Sequence, residues 1–191
     1  EILNIITTEL RELKEKFGDE RRTQIVDQTG EITLEDTIVE EDMVVTISHT
    51  GYIKRTAASL YRSQRRGGKG KTGMKTKEED FVEQLFVASS KDNMLFFTDT
   101  GRVYQRKVYE IPEGGRAARG KAIVNLLNLA EGEKVAAILS IKGAFDEERN
   151  LIMGTRLGVV KKSALANYVN IRANGIIAIN LDDGDSLIGV A

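Results

Sequence analysis

The residues with the most chemistry to offer form one short run, Gln64-Arg65-Arg66-Gly67-Gly68-Lys69-Gly70, continued by Lys71. Glycine fills three of the four positions 67–70, which disfavours regular structure and lets the backbone approach another surface closely. Arginine and lysine supply positive charge, and a guanidinium grips a phosphate through two parallel hydrogen bonds. Exposed backbone N–H groups in such a loop add to an anion site. The run is not a nucleotide-binding P-loop, because the GxxxxGK[ST] spacing is missing and no apolar-periodic helix follows. A generic solvated loop has the same composition, so the run gains meaning from whatever repeats it.

Its charges do recur. Gly115-Arg116-Ala117-Ala118-Arg119-Gly120 carries Arg116 and Arg119, and Arg172-Ala173-Asn174-Gly175 carries Arg172. Behind successive turn glycines stand Lys54 and Arg55, then Arg106 and Lys107, then Lys161 and Lys162. Placed alike in three units, these cations would make one positive stripe along a rim. The net charge of −1 conceals that segregation: Gly51–Lys77 holds nine Lys or Arg and no acid, and Glu31–Asp42 holds six acids and no base. A positive face recruits polyanions whatever the total charge. The stripe has no interleaved aromatics for stacking single strands and no recognition helix. Contact with the phosphates of duplex DNA, with little sequence preference, is the expectation. Bending 20–30 base pairs by 40–90° costs on the order of 1–6 kcal/mol, which a spaced series of phosphate contacts could hold and one loop could not.

Other chemistries are poorly supplied. There is no cysteine and one histidine, His49, so thiolate and histidine-built metal sites are not expected. Asp182, Asp183 and Asp185 sit in a glycine-containing turn without a His, Cys or basic partner, which argues against a hydrolytic dyad. No apolar run approaches the ~20 residues of a membrane span, and the N-terminus has no signal-peptide pattern, so a cytoplasmic protein is expected.

The elements that must position the charges repeat from about residue 42, with units near 42–92, 93–149 and 150–191. Each opens with a strand-like run (Val44–Ile47, Met94–Phe97, Leu151–Met153), turns at Gly51, Gly101 or Gly158, and continues as a second strand. A second glycine follows at Gly70, Gly120 and Gly175, and a further apolar run closes each unit. Repeats near 50 residues with about four short strands each are the pattern of propeller blades. The predicted fold is mainly β, a partial β-propeller of about three blades, with a tandem array of small barrels as the alternative. Ahead of it, residues 1–18 read as a helix. Leu3, Ile6, Leu10, Leu13 and Phe17 make a coiled-coil seam that needs a partner helix, and Gly18 fits the C-terminal cap. Residues 19–41 read as a linker, in which Ile25, Val26, Ile32 and Leu34 could form a short strand.

Taken together, Gln64–Gly70, Val44–Arg55, Gly101–Tyr104, Ala122–Leu127 and Asp182–Val190 resemble the C-terminal domain of the DNA gyrase A-subunit family. The helix with Gly18–Thr23 resembles the end of that family's coiled-coil arm. The resemblance implies a type II topoisomerase that introduces negative supercoils using ATP, and a propeller variant of roughly six blades, the β-pinwheel, that wraps duplex DNA. Gln64–Gly70 would be the box that fixes the wrap. It implies as partners duplex DNA, the B subunit of the enzyme plus a second A subunit, with no membrane. No cofactor is expected in this chain, and ATP and Mg2+ are expected for the parent complex. The family's cleaving tyrosine follows an arginine; none of Tyr52, Tyr61, Tyr104, Tyr109 or Tyr168 does, so this piece is expected to bind DNA without cutting it. The similar A subunit of topoisomerase IV, or a protein-binding propeller scaffold, is the competing reading.

Overall fold

A computed structural model describes residues 2–23, 33–61, 73–74 and 80–191. They form two units, divided between Thr33 and Leu34.

Among the described residues of the first unit there is one helix, α1 (Ile2–Phe17), ending at Gly18, whose amide donates to the Lys14 carbonyl at 2.8 Å. Lys14 and Lys16 in its last turn suit the negative end of the helix dipole. All five seam residues are exposed.

The second unit opens with a single helical turn, α2 (Leu34–Thr37). The sequence left open a short strand that included Leu34. The difference has a local cause: Glu35 and Asp36 favour the N-terminus of a helix, and the Thr37 hydroxyl closes the turn on the Leu34 carbonyl at 2.7 Å. Ile25, Val26 and Ile32 lie outside the described residues.

Three antiparallel sheets follow. The first combines β1 (Asp42–Ser48), β2 (Tyr52–Ala57), β3 (Val82–Ser89) and β6 (Lys121–Ala122), in the order β3-β1-β2-β6. In the second, β4 (Asn93–Thr98), β5 (Arg102–Lys107), β7 (Val135–Ile141) and β10 (Ile176–Ile177) run β10-β5-β4-β7. The third has β8 (Asn150–Thr155), β9 (Val160–Ala164) and β11 (Leu187–Val190), in the order β11-β8-β9. Two strands are therefore exchanged between repeats. β6 of the second repeat pairs with Tyr52 and Ile53 of the first, and β10 of the third pairs with Arg102 and Val103 of the second.

This exchange explains the second glycine of the second and third repeats; Gly70 of the first lies outside the described residues. Gly120 has φ +86°, and a Cβ there would collide with the Ile53 carbonyl of the preceding sheet. A Cβ at Gly175 (φ +70°) would lie 2.9 Å from the Val103 carbonyl oxygen. Only glycine lets the crossing segment come this close with a left-handed backbone.

The sheets stack face to face. Alternation along β1 turns Met43, Val45 and Ile47 toward Met94, Phe96 and Tyr104 of the second sheet. Leu95, Phe97 and Val103 point the other way and meet Leu151, Met153 and Leu187 of the third. The middle sheet is buried on both faces, which is why Met94–Phe97 is an unbroken apolar run. Each such side chain contributes about 1.5–3 kcal/mol by leaving water. Shared cores between successive sheets make this a partial β-propeller rather than an array of separate barrels.

Candidate nucleic-acid interface

The exchanged strands carry basic residues to matching places on the first and second blades. The segment 112–122 leaves the second repeat and lies along β2 of the first blade, bringing Arg116, Arg119 and the exposed Lys121. The corresponding segment of the third repeat lies along β5 of the second blade and brings the exposed Arg172. Sequence reasoning found Arg116, Arg119 and Arg172 but not Lys121, whose place became evident only with the exchange. The Arg119 guanidinium lies 3.6 Å over the Tyr52 ring, a cation–π contact that fixes the segment against β2.

Gln64, Arg65, Arg66, Gly67, Gly68, Lys69, Gly70 and Lys71 lie outside the described residues.

The cations behind the turn glycines divide into two groups. Lys54 is fully buried, and its ammonium donates to the Gly115 carbonyl at 2.9 Å and the Arg116 carbonyl at 2.5 Å. Burial pushes this ammonium below its ordinary pKa. The expectation that Lys54 itself meets DNA is corrected: its charge is enclosed and fastens the crossing segment. Arg55 is half-buried and does similar work, donating to the Ile111 carbonyl at 2.8 Å and pairing with Glu113 at 3.2 Å. Arg106 donates to the Leu126 carbonyl at 3.2 Å, and Lys107 pairs with Glu35 at 2.9 Å. Lys161 donates to the Ala178 carbonyl at 2.6 Å but keeps an exposed stem, and Lys162 is exposed. The three pairs are also not equivalent in register. Lys54 and Lys161 stand three residues after their turn glycine, where the second repeat has Tyr104; Arg106 and Lys107 stand five and six after theirs.

A second repeated device was missed from sequence. An acid some thirty residues downstream holds each hairpin turn. Asp80 accepts the Thr50 amide at 3.0 Å, and Asp185 accepts the Leu157 amide at 2.9 Å. In the second repeat the buried Glu133 accepts from the hydroxyls of Thr98 (2.6 Å), Thr100 (2.8 Å) and Tyr104 (3.0 Å) and from the Ala130 amide (2.7 Å). Burial by itself would raise the Glu133 carboxyl, but these four donors outweigh it and hold the group below the ordinary carboxylate range. A depressed folded pKa stabilises the fold above the unfolded glutamate value of about 4.3, and that contribution is lost as pH falls through the lower folded value. Glu133→Gln should cost about 1.5–3 kcal/mol at neutral pH, since an amide donor then faces other donors. Thermal melts from pH 7 to 3 should show the wild type converging on the variant; a constant gap would contradict the assignment.

The sequence model of the family described as "DNA gyrase C-terminal domain, beta-propeller" matches residues 42–89, 92–142 and 149–191, one match per repeat. The chain belongs to this family. Among its relatives, the DNA gyrase A subunit of Clostridium acetobutylicum is 53% identical over 99% of the chain, and that of Haemophilus influenzae is 50% identical over 99%. The chain spans only 23% and 21% of the length of these two relatives. Among solved structures, the C-terminal domain of a DNA topoisomerase IV aligns with TM-score 0.68 at 27% identity, over 81% of this chain and 46% of that one. A DNA gyrase A C-terminal domain aligns with TM-score 0.60 at 23% identity, over 78% and 47%, a likeness of fold. In the terms of this gyrase C-terminal family, the three matches are the three sequence repeats, and the breaks between them fall at residues 90–91 and 143–148.

Proposed function

We propose that this chain binds and wraps duplex DNA as part of a DNA gyrase A subunit. The observation that carries the reading is the placement of Arg116, Arg119 and Lys121 on one exchanged segment and of Arg172 on the next, at corresponding edges of successive blades. Positive groups spaced along stacked blades can follow a curved phosphate backbone, which supports wrapping over a single contact. The loop Gln64–Gly70 would fix the wrap, with Lys71, Lys161 and Lys162 adding charge. Lys54 and Arg55 take part by holding the first crossing segment in place.

The parent enzyme in this reading is an ATP-hydrolysing type II topoisomerase that introduces negative supercoils. Its other parts are the B subunit plus a second A subunit, with ATP and Mg2+ bound outside this chain. Identity of 53% and 50% to gyrase A subunits, each over 99% of the chain, supports the gyrase reading. Among the described residues, no helix is long and apolar enough to cross a membrane.

The test is salt dependence. For binding to a mixed-sequence duplex, the log–log slope of affinity against salt should approach −0.9Z for Z neutralised phosphates, and change little with sequence. A slope near zero, or no binding at low salt, would favour a protein-binding scaffold and overturn the reading.

A further inference from the structure

The crossing segment of the first interlock has an electrostatic feature that its packing does not use. Gly115–Ala118 is a tight turn, closed by the Ala118 amide on the Gly115 carbonyl at 2.9 Å. The Gly115 and Arg116 carbonyls both point inward onto the Lys54 ammonium. In a trans peptide, the N–H lies on the side opposite the C=O. The amides of Arg116 and Ala117 must therefore point outward, side by side, and neither donates to any acceptor among the described residues. Gly115 and Ala117 are exposed, so this outward face is open.

Lys54 is the second, independent observation. It is fully buried, yet no carboxylate lies within 4.0 Å of its ammonium among the described residues. A buried charge without a counter-ion is costly, and the two carbonyls offset only part of that cost. Both peptide dipoles stand with their negative ends on the ammonium and their positive ends at the surface. They relay the enclosed charge to the two free amides. Arg119 of the same segment adds a further cation, and its Nε is buried without a partner.

We propose that the Arg116 and Ala117 backbone amides form a phosphodiester-binding site, oriented and polarised by the enclosed Lys54. The inference rests on the DNA-binding reading and deepens it: Lys54 acts as a positioning residue, and the contact to the phosphate is made by the main chain. The second interlock lacks the site. There Arg102 donates to the Asn174 carbonyl at 2.6 Å, but the N–H of that peptide, at Gly175, already donates to the Arg172 carbonyl at 2.8 Å.

The experiment is amide NMR on the 15N-labelled chain, titrated with a short mixed-sequence duplex and, separately, with inorganic phosphate. The amide protons of Arg116 and Ala117 should move downfield with either titrant, while that of Gly175 stays in place. Arg116→Ala should weaken binding but keep both shifts, because the donors are backbone. Lys54→Met should abolish the shifts and lower duplex affinity about tenfold. Should Lys54→Met not fold, the wild type and Arg116→Ala decide the matter alone. Duplex binding that leaves the Arg116 and Ala117 amides unmoved, or moves Gly175 equally, overturns the proposal while leaving DNA binding intact. Absence of any duplex binding instead overturns the reading beneath it.

Discussion

Replacing Arg65, Arg66 and Lys69 together with alanine is expected to abolish DNA wrapping without moving the thermal transition. The expectation comes from sequence alone, since these residues lie outside those described. Three cations separated only by glycines can meet three neighbouring phosphates, so losing them should reduce the steepness of the log–log salt slope by roughly 2.7. Residual binding through Arg116, Arg119, Lys121 and Arg172 should survive at low salt. Stability should hold because charges on a surface loop contribute about 0–1 kcal/mol each. Calorimetry beside a salt titration reads both halves. A variant that unfolds would make the loop structural, and a variant that wraps normally would move the function elsewhere.

The second large effect belongs to the interlock between blades. Gly120→Ala should destabilise the second unit by about 3 kcal/mol or more, lowering Tm by roughly 6–12 °C. Two costs combine there: a left-handed backbone at φ +86°, and a Cβ driven into the Ile53 carbonyl with Lys54 Cβ only 3.0 Å away. Gly51→Ala is the control, because its φ of +82° is similar but nothing lies within 4 Å of the added carbon. That variant should lose only the conformational term, about 1–2 kcal/mol. Equal losses would mean that the close approach of the exchanged segment adds nothing.

These variants mark where sequence reasoning reached and where it stopped. The hairpins were legible because Gly51, Gly101 and Gly158 punctuate apolar strand-like runs, and local turn chemistry is written in neighbouring residues. Gly120 and Gly175 were visible as a repeat, but their reason was not, since it lies in a sheet built by a different repeat. The same exchange misled the reading of Lys54. A lysine in the strand just beyond a turn glycine looks solvent-facing until a later segment is laid over it. The carboxylates Asp80, Glu133 and Asp185 were missed because their spacing from the turns varies, so no fixed period betrays them. Leu34 reads as strand on its apolar side chain, whereas the two acids behind it favour a helical turn. The placement of the basic residues was half legible. Arg116, Arg119 and Arg172 were recognised from their recurrence in the repeats, while the enclosure of Lys54 and the ties of Arg55 to Ile111 and Glu113 became visible only with the crossing segment in place.

The central claim is that a duplex is coiled over this chain rather than merely held by it, and DNA topology reads that directly. Nicked circles should be sealed by a ligase across a range of chain concentrations, and the linking number of the products compared with circles sealed alone. A progressive positive shift that disappears in the Arg65, Arg66 and Lys69 variant is the predicted result. Saturating binding that leaves the linking number unchanged would contradict it.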